Sequence, residues 1–524
     1  MTEDFLALAR AAERDSRARE DADYPIFHVV PPVGRLNDPN GLIVDGDAYH
    51  AFFQFSPFHP HRKLVYWGHA VSRDLVHWDY LEPAILPDCH QDANGAYSGT
   101  AIGVEGGVEL WYTGNYKDPE SGEREATQCL VETSDLKSFH KTVGPIITRQ
   151  PEGYTAHFRD PQVWQDPDDP AGSYRMMLGV QREDLSGAIL LYRSADRRHW
   201  DLEGEMTFPD AGGAFDSFGY MWECPNLLRL RDEESGETSD VLIFCPQGIA
   251  PEREGFENIF PCVYIVGSLV GTEFRSADGS FEEVDRGFEF YAPQAYARRA
   301  SGWGRNAEDE ENLLLGWAGN ASEDDQPSIA TGGWVHALTS PRVLSLRAGR
   351  LIQRPFLPGL SLEEKAATGA RADLDCGIVP SATNCEPASA SCVAESACDF
   401  KEIEALSGSR SWRVKTCATI DEGGALEFDM GEDCGLTIRI EANRLLVDRS
   451  ASRYPHGGSR VVTLEAGDVN SIEIVHDRSL TEVFCGDGRL AFTFRSFLNA
   501  GSSGLRVRVE GNAALEGFVS ARLD

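Results

Sequence analysis

Three short segments of this chain each hold a carboxylate inside a tight polar frame: RLNDPNG at 35–41, FRDPQ at 158–162 and MWECPN at 221–226. They carry Asp38, Asp160 and Glu223, which stand far apart in the sequence. A pair of carboxyl groups across a scissile bond is the machinery of glycoside hydrolysis. Acids drawn from such distant segments meet only if separate structural units contribute to one pocket.

The frames give each acid a different chemistry. Asp38 precedes Pro39, which holds it extended, and Asn40-Gly41 tolerate positive φ, so the chain turns just after the acid. Such a turn aims backbone N–H groups and the Asn37 amide at the carboxylate, favouring the ionised form that suits a nucleophile. Arg159 beside Asp160 favours a charged carboxylate that can accept bonds from sugar hydroxyls and steady a cationic transition state. Glu223 lies between Trp222 and Cys224, apolar neighbours that favour a protonated carboxyl able to donate to a leaving oxygen. Each segment taken alone also reads structurally: DPNG as an Asx turn, Arg159-Asp160 as a surface salt bridge, Glu223 as an inward acid paired with an arginine.

The elements that must position these acids are strands. AYHAFFQF, GVELWYTG, SYRMMLGV, GAILLYRS, DVLIFCPQ, CVYIVGSL and NLLLGWAG are strand-length, rich in aromatic and β-branched residues, and bounded by turn formers. The segments WGHAVSRDLVHW, CLVETSDLKSFH and LYRSADRRHWDL each end a strand on Ser or Thr, pass an Asp-containing turn and close on an aromatic or His. They start at 67, 129 and 191, a spacing of 62 residues that suits four-strand blades arranged radially. Roughly five such blades fit within 24–355, so the fold class read here is all-β, a five-bladed β-propeller. Residues 1–23 read as a surface helix and extension, 356–375 as a polar, Ala-rich linker, and 376–524 as a C-terminal β-sandwich built from runs such as GLTIRIEA, SIEIVHD and LAFTFRSF.

Composition narrows the partners. The 524 residues hold 84 acids against 48 Lys and Arg, a formal charge of −36, which repels nucleic acid and anionic membranes. No stretch reaches the roughly 18 apolar residues of a membrane span, and the first twenty residues carry no apolar core of signal-peptide length, so the expectation is a cytoplasmic protein. The 12 cysteines are spread along the chain and read as free thiols. Cys376, Cys385, Cys392 and Cys398 cluster without a His and with no Cys-x2-Cys spacing, so neither a metal nor a cofactor is expected.

Together and in this order, the three acid segments resemble glycoside hydrolase family 32, the β-fructofuranosidase and invertase family, which includes sucrose-6-phosphate hydrolases. FFQFSP, WGHAVSRDLVHW, YSGTA, FYAPQ, LLGW and GRLIQRP resemble its blade motifs, and LLVDRS and DRSLTEVFCGDGRLAFTFRSF its sandwich, from about residue 24 onward. The resemblance implies a nucleophile at Asp38, a transition-state stabiliser at Asp160 and an acid/base at Glu223. It further implies a fructosyl pocket lined by Asn37, Gln54, Trp67, Ser98, Arg159 and Tyr291, with Trp67 as a platform for a sugar face. Trp317 and Trp334 are weaker candidates. Retaining hydrolysis of a terminal β-D-fructofuranoside follows, and it needs nucleophile and acid about 5 to 5.5 Å apart.

Two departures bear on substrate rather than chemistry. Arg35-Leu36 precedes NDPNG where the family commonly has Trp-Met or Trp-Leu, and Glu223-Cys224-Pro225-Asn226 stands for the usual ECPD. The substrate is a small carbohydrate: sucrose, sucrose 6-phosphate or a short fructo-oligosaccharide. A phosphate would need a basic clamp, for which His59, His61, Arg62 and Lys63 are candidates beside an ordinary exposed loop. A fructosyltransferase would share all three acids, and a non-catalytic fructan-binding propeller would lack one. The appended sandwich offers a surface through which a homo-oligomer could form.

Overall fold

The repeated Ser/Thr-x-Asp segments all fold into the same turn. The Ser72, Thr133 and Ser194 hydroxyls accept the N–H of Leu75, Leu136 and Arg197 at 2.8, 2.9 and 2.7 Å. These three residues take positive φ of 59°, 54° and 61°. Asp74, Asp135 and Asp196 then accept the next two N–H groups, so each turn satisfies its own backbone before the following strand begins.

The computed structural model describes residues 4–249, 260–276, 279–298, 312–322, 324–362, 400–430, 435–465 and 467–523. It is mostly β. Gly34–Pro355 supplies five predominantly antiparallel sheets in chain order, whose first strands are Gly34–Asp45, Ala101–Val104, Tyr154–Gln165, Met221–Arg231 and Tyr291–Ala295. These first strands touch one another in that order, and the last touches the first, so they surround a common axis. One apolar core fills the space between the sheets.

A second repeat, along the first strands, explains how they meet. Asp38-Pro39-Asn40, Asp160-Pro161-Gln162, Cys224-Pro225-Asn226 and Ala292-Pro293-Gln294 are four copies of one pattern. The ladder to the second strand shifts register at every copy, because proline cannot donate to it and the chain bulges. Asp160, Cys224 and Ala292 take φ of 65°, 47° and 45° there. The buried amides then stitch neighbouring sheets. Gln162 accepts the Leu227 N–H at 2.8 Å, Asn226 donates to the Pro293 carbonyl at 3.0 Å, and Gln294 bridges the Leu42 N–H and the Gly99 carbonyl at 3.2 and 2.8 Å. On the second sheet Thr100 plays this part, donating to the Pro161 carbonyl at 2.9 Å. The Asn226 departure is thereby explained: its amide donates to two carbonyls, Pro293 and Cys224, which a carboxylate could not do.

The N-terminal helix spans Phe5–Arg14, shorter than the segment read from sequence, capped by Asp4, with Ala9 buried and Phe5 against the core. Phe356–Leu362 is no exposed tether: Leu357 and Leu360 are buried in an apolar seam with Val475, Phe484 and Ala521. Residues 363–399, with the rest of the expected linker and the four clustered cysteines, lie outside the described residues. From Lys401 two further sheets enclose a second core, with strands such as Leu436–Glu441 alternating buried and half-exposed residues.

Paired charges as well as apolar contacts join this part to the first five sheets. His28 lies between Asp477 at 2.9 Å and Glu482 at 3.2 Å, and Arg342 donates to Asp285 at 3.0 Å and Glu482 at 2.9 Å. Such charges are tolerated in a buried seam because every one is paired. Among the described residues no helix is long and apolar enough to cross a membrane.

Candidate active site

The proline bulges decide what faces the axis. The residues at or just before them, Asn37 and Asp38, Arg159 and Asp160, Glu223 and Tyr291, all line one pocket of about 330 Å³. Asp38, Asp160 and Glu223 therefore reach it from the first, third and fourth sheets.

Asp38 is half-buried and its carboxylate is fully engaged. Asn37 Nδ2 donates to Oδ1 at 3.0 Å, Gln54 Nε2 donates to Oδ2 at 3.0 Å, and the Ser98 hydroxyl donates to the same Oδ2. Asn37 also donates to Gln54 Oε1 at 2.8 Å, and Gln54 to Ser98, so the three residues form one frame. Burial lifts the Asp38 carboxyl above the ordinary carboxylate range; the Ser98 and Asn37 bonds pull it back, and the nearby Glu223 charge raises it further. Ser98 does not itself line the pocket; it touches Asp38 and Gln54, which do.

Trp67 stands elsewhere than its reading as a sugar platform requires. Its indole is fully buried, donates from Nε1 to the Tyr97 carbonyl at 3.0 Å and packs beneath Gly41. A Cβ at Gly41 would come within 2.9 Å of that ring, at a φ of 51° that disfavours side chains. Trp67 lies opposite Gln54 on the same face of the sheet; the Gln54 amide reaches Asp38, while the indole packs beneath the Gly41 turn. Trp334 is likewise buried, bonded to Asp21 at 3.0 Å. Trp317, read as the weaker candidate, does line the pocket, with the Arg35 guanidinium 5.1 Å above its ring.

The environments of the other two acids differ from those their sequence neighbours suggest. Side chains alternate along a strand, so Trp222 and Cys224 are buried beside the apolar core while Glu223 points the other way. Glu223 meets polar groups: Arg159 Nε and Nη2 on Oε1 at 3.0 and 2.5 Å, Gln247 Nε2 and the Tyr291 hydroxyl on Oε2 at 2.5 and 2.7 Å. Arg159 is accordingly committed to Glu223 and stands 4.0 Å from Asp160. Among the described residues the Asp160 carboxylate accepts only the Cys224 N–H, at 3.0 Å, and burial holds its carboxyl well above the ordinary range, against the pull of Arg159. His157 accepts from Arg159 Nη1 at 2.7 Å; burial and the Arg159 charge lower it to about 4, keeping it neutral.

Gln54, Arg35, Tyr97, Arg124, Gln247, Phe260, Trp317 and Ala321 complete the wall. Sequence reasoning singled out Arg35 as a rim residue but passed over Gln247, which ends the strand Thr238–Gln247 paired with that of Glu223. The candidate phosphate clamp does not line the pocket: His61, Arg62 and Lys63 are exposed, as in an ordinary loop, and the His59 ring is buried 4.0 Å from Asp324. Among the described residues one group has the donors for a metal, Asp88, Cys89 and Asp92, and the Lys141 ammonium sits 2.6 Å from both carboxylates in the place a cation would take.

Comparison with known proteins gives the family of the chain. The model for the glycosyl hydrolases family 32 N-terminal domain matches residues 28–355, and that for the family 32 C-terminal domain matches 397–523. The chain belongs to glycosyl hydrolase family 32. It is 36% identical over 493 residues to a sucrose-6-phosphate hydrolase of Klebsiella pneumoniae, covering 94% of this chain and 92% of that one. It is 32% identical over 502 residues to a raffinose invertase of Escherichia coli, covering 95% and 94%. The solved structure of a sucrose-6-phosphate hydrolase from Lactobacillus gasseri superposes with a TM-score of 0.77 at 27% identity, covering 99% and 97%.

Proposed function

We propose that this hydrolase of sucrose-type substrates cleaves a terminal β-D-fructofuranosyl bond by double displacement with net retention. The observation that carries the reading is the meeting of three carboxyl groups, from three separate sheets, in one pocket. In the first step an Asp38 oxygen bonds to the anomeric carbon, the glycosidic C–O bond breaks, and the Glu223 proton passes to the departing oxygen. Asp160 faces the positive charge that develops on the ring. In the second step water attacks the anomeric carbon, gives its proton to Glu223, and the ester to Asp38 breaks.

The elevated Asp38 and Asp160 carboxyls describe the substrate-free pocket, where three acids crowd together. A developing oxocarbenium charge reverses that balance, because the carboxylates then gain a counter-charge.

The five sheets serve as blades of a propeller around the pocket axis, and the two later sheets as a sandwich behind it. The cyclic contact of the first strands and the ring of stitching amides support that architecture. Arg124 supplies positive charge at the pocket wall beside Arg35, which is paired with Asp324 at 3.0 Å, and with the sucrose-6-phosphate hydrolases among the relatives it favours a phosphorylated leaving sugar over a neutral one. Rates on sucrose, sucrose 6-phosphate and 1-kestose, with the anomer of released fructose followed by NMR, test the whole reading. β-Fructose as first product and loss of turnover in Asp38→Ala support it. α-Fructose, or undiminished cleavage by Asp38→Ala, overturns it.

A further inference from the structure

A retaining mechanism asks Glu223 to hold a proton in one step and to be a carboxylate in the next. Its two oxygens are differently equipped for this. Among the described residues Oε1 faces only Arg159, whose guanidinium donates and cannot accept, so a proton there would point two N–H groups at a hydroxyl. Oε2 faces the Tyr291 hydroxyl and the Gln247 amide, both of which can donate or accept. The proton therefore belongs on Oε2.

Gln247 does more than touch that oxygen. Its Nε2 donates to Glu223 Oε2 at 2.5 Å while its Oε1 accepts the Tyr220 hydroxyl at 2.6 Å. A half-turn of the amide exchanges the roles: Oε1 then accepts a proton-bearing Oε2, and Nε2 donates to the Tyr220 oxygen. Tyr220 is 40% exposed, so its displaced O–H turns to water. The other ionisable groups around Glu223 are Arg159 with His157 behind it, Asp38, Asp160, Tyr291 and the buried thiols Cys224 and Cys245. None of them offers an amide that can reverse.

We propose that Gln247, oriented by Tyr220, is a positioning residue that keeps Glu223 Oε2 as the proton-bearing oxygen and holds it in both protonation states by reversing its amide. The proposal rests on Glu223 being the acid/base.

The test compares kcat/KM on sucrose, whose leaving oxygen needs protonation, with 4-nitrophenyl β-D-fructofuranoside, whose leaving group departs without it. Gln247→Leu is expected to lose about tenfold to thirtyfold on sucrose, one charge-assisted hydrogen bond, and less than about threefold on the nitrophenyl substrate. The alkaline limb of its sucrose profile moves to higher pH, because a donor to the carboxylate is gone; Gln247→Glu moves it further by adding a like charge. Tyr220→Phe, an exposed and conservative change, shifts the limb the same way by a smaller amount. Equal losses on both substrates with an unmoved limb, or full activity in Gln247→Leu, overturn the proposal. Glu223→Ala separates the two layers. If it keeps its rate on sucrose, the acid/base assignment falls; if it loses sucrose alone while the Gln247 variants lose both substrates equally, only the amide switch falls.

Discussion

Replacing Ser98 by Ala isolates one contribution to the state of Asp38. The Asp38 carboxylate has three side-chain donors: Ser98 and Gln54 on Oδ2 and Asn37 on Oδ1. Ser98→Ala removes one of them with little loss of volume. A hydrogen bond to a charged group contributes about 1.5–3 kcal/mol, and the lower end applies because Gln54 still donates to the same oxygen. At about 1.4 kcal/mol per pH unit this raises the Asp38 carboxyl by about one unit. The sign follows directly: a lost donor favours the protonated acid, so the acid limb of kcat/KM moves to higher pH. Asp38 shares the pocket with other acids, so the predicted quantity is the displacement of the limb and not its absolute position. The assay is kcat/KM on sucrose between about pH 4 and 8 for both proteins. On the acid side the variant runs about tenfold below the parent, and the two curves converge at high pH. A uniform loss at every pH, with the limb within about 0.2 unit of the parent, would refute the electrostatic role of Ser98.

Three other perturbations probe the frame behind the pocket. His28, flanked by Asp477 and Glu482, is raised from 6.5 to about 9 despite the opposing effect of burial, so its stabilisation is complete below pH 6.5 and fades as pH rises to about 9. Against its burial, Glu482 is lowered from 4.5 to about 2 by His28, Arg342 and Ser340, so its share fades as pH falls from 4.5 towards 2. Urea midpoints should therefore plateau between these windows, and His28→Gln should lower the plateau and flatten the alkaline slope. Gln294→Leu leaves the buried Leu42 N–H without its acceptor and should cost about 1–3 kcal/mol in urea unfolding; a cost below about 0.5 kcal/mol would dismiss the stitching role. Trp67→Phe should leave KM for sucrose within about twofold while lowering stability, whereas a KM rise beyond about tenfold would restore the platform role.

Much of the frame was legible in the amino-acid sequence. The Ser/Thr-x-Asp turns close on their own backbone within three residues, so their spacing alone announced repeated strands. The motifs around Asp38, Asp160 and Glu223 named the acids, because proline and Asn-Gly act on the adjacent residue. What each acid feels was not legible. Glu223 and Trp222 are neighbours in sequence but face opposite sides of a strand, and Arg159 reaches across to Glu223 rather than back to Asp160. Trp67, read as a platform for a sugar, is buried beneath the Gly41 turn, a packing that depends on contacts between strands. Gln247 carries no motif, and only the hairpin that pairs its strand with that of Glu223 brings its amide to the carboxylate. Local geometry is written by neighbours along the chain. Electrostatics and proton traffic are written by groups that meet across sheets, and the tertiary fold alone decided which groups those are.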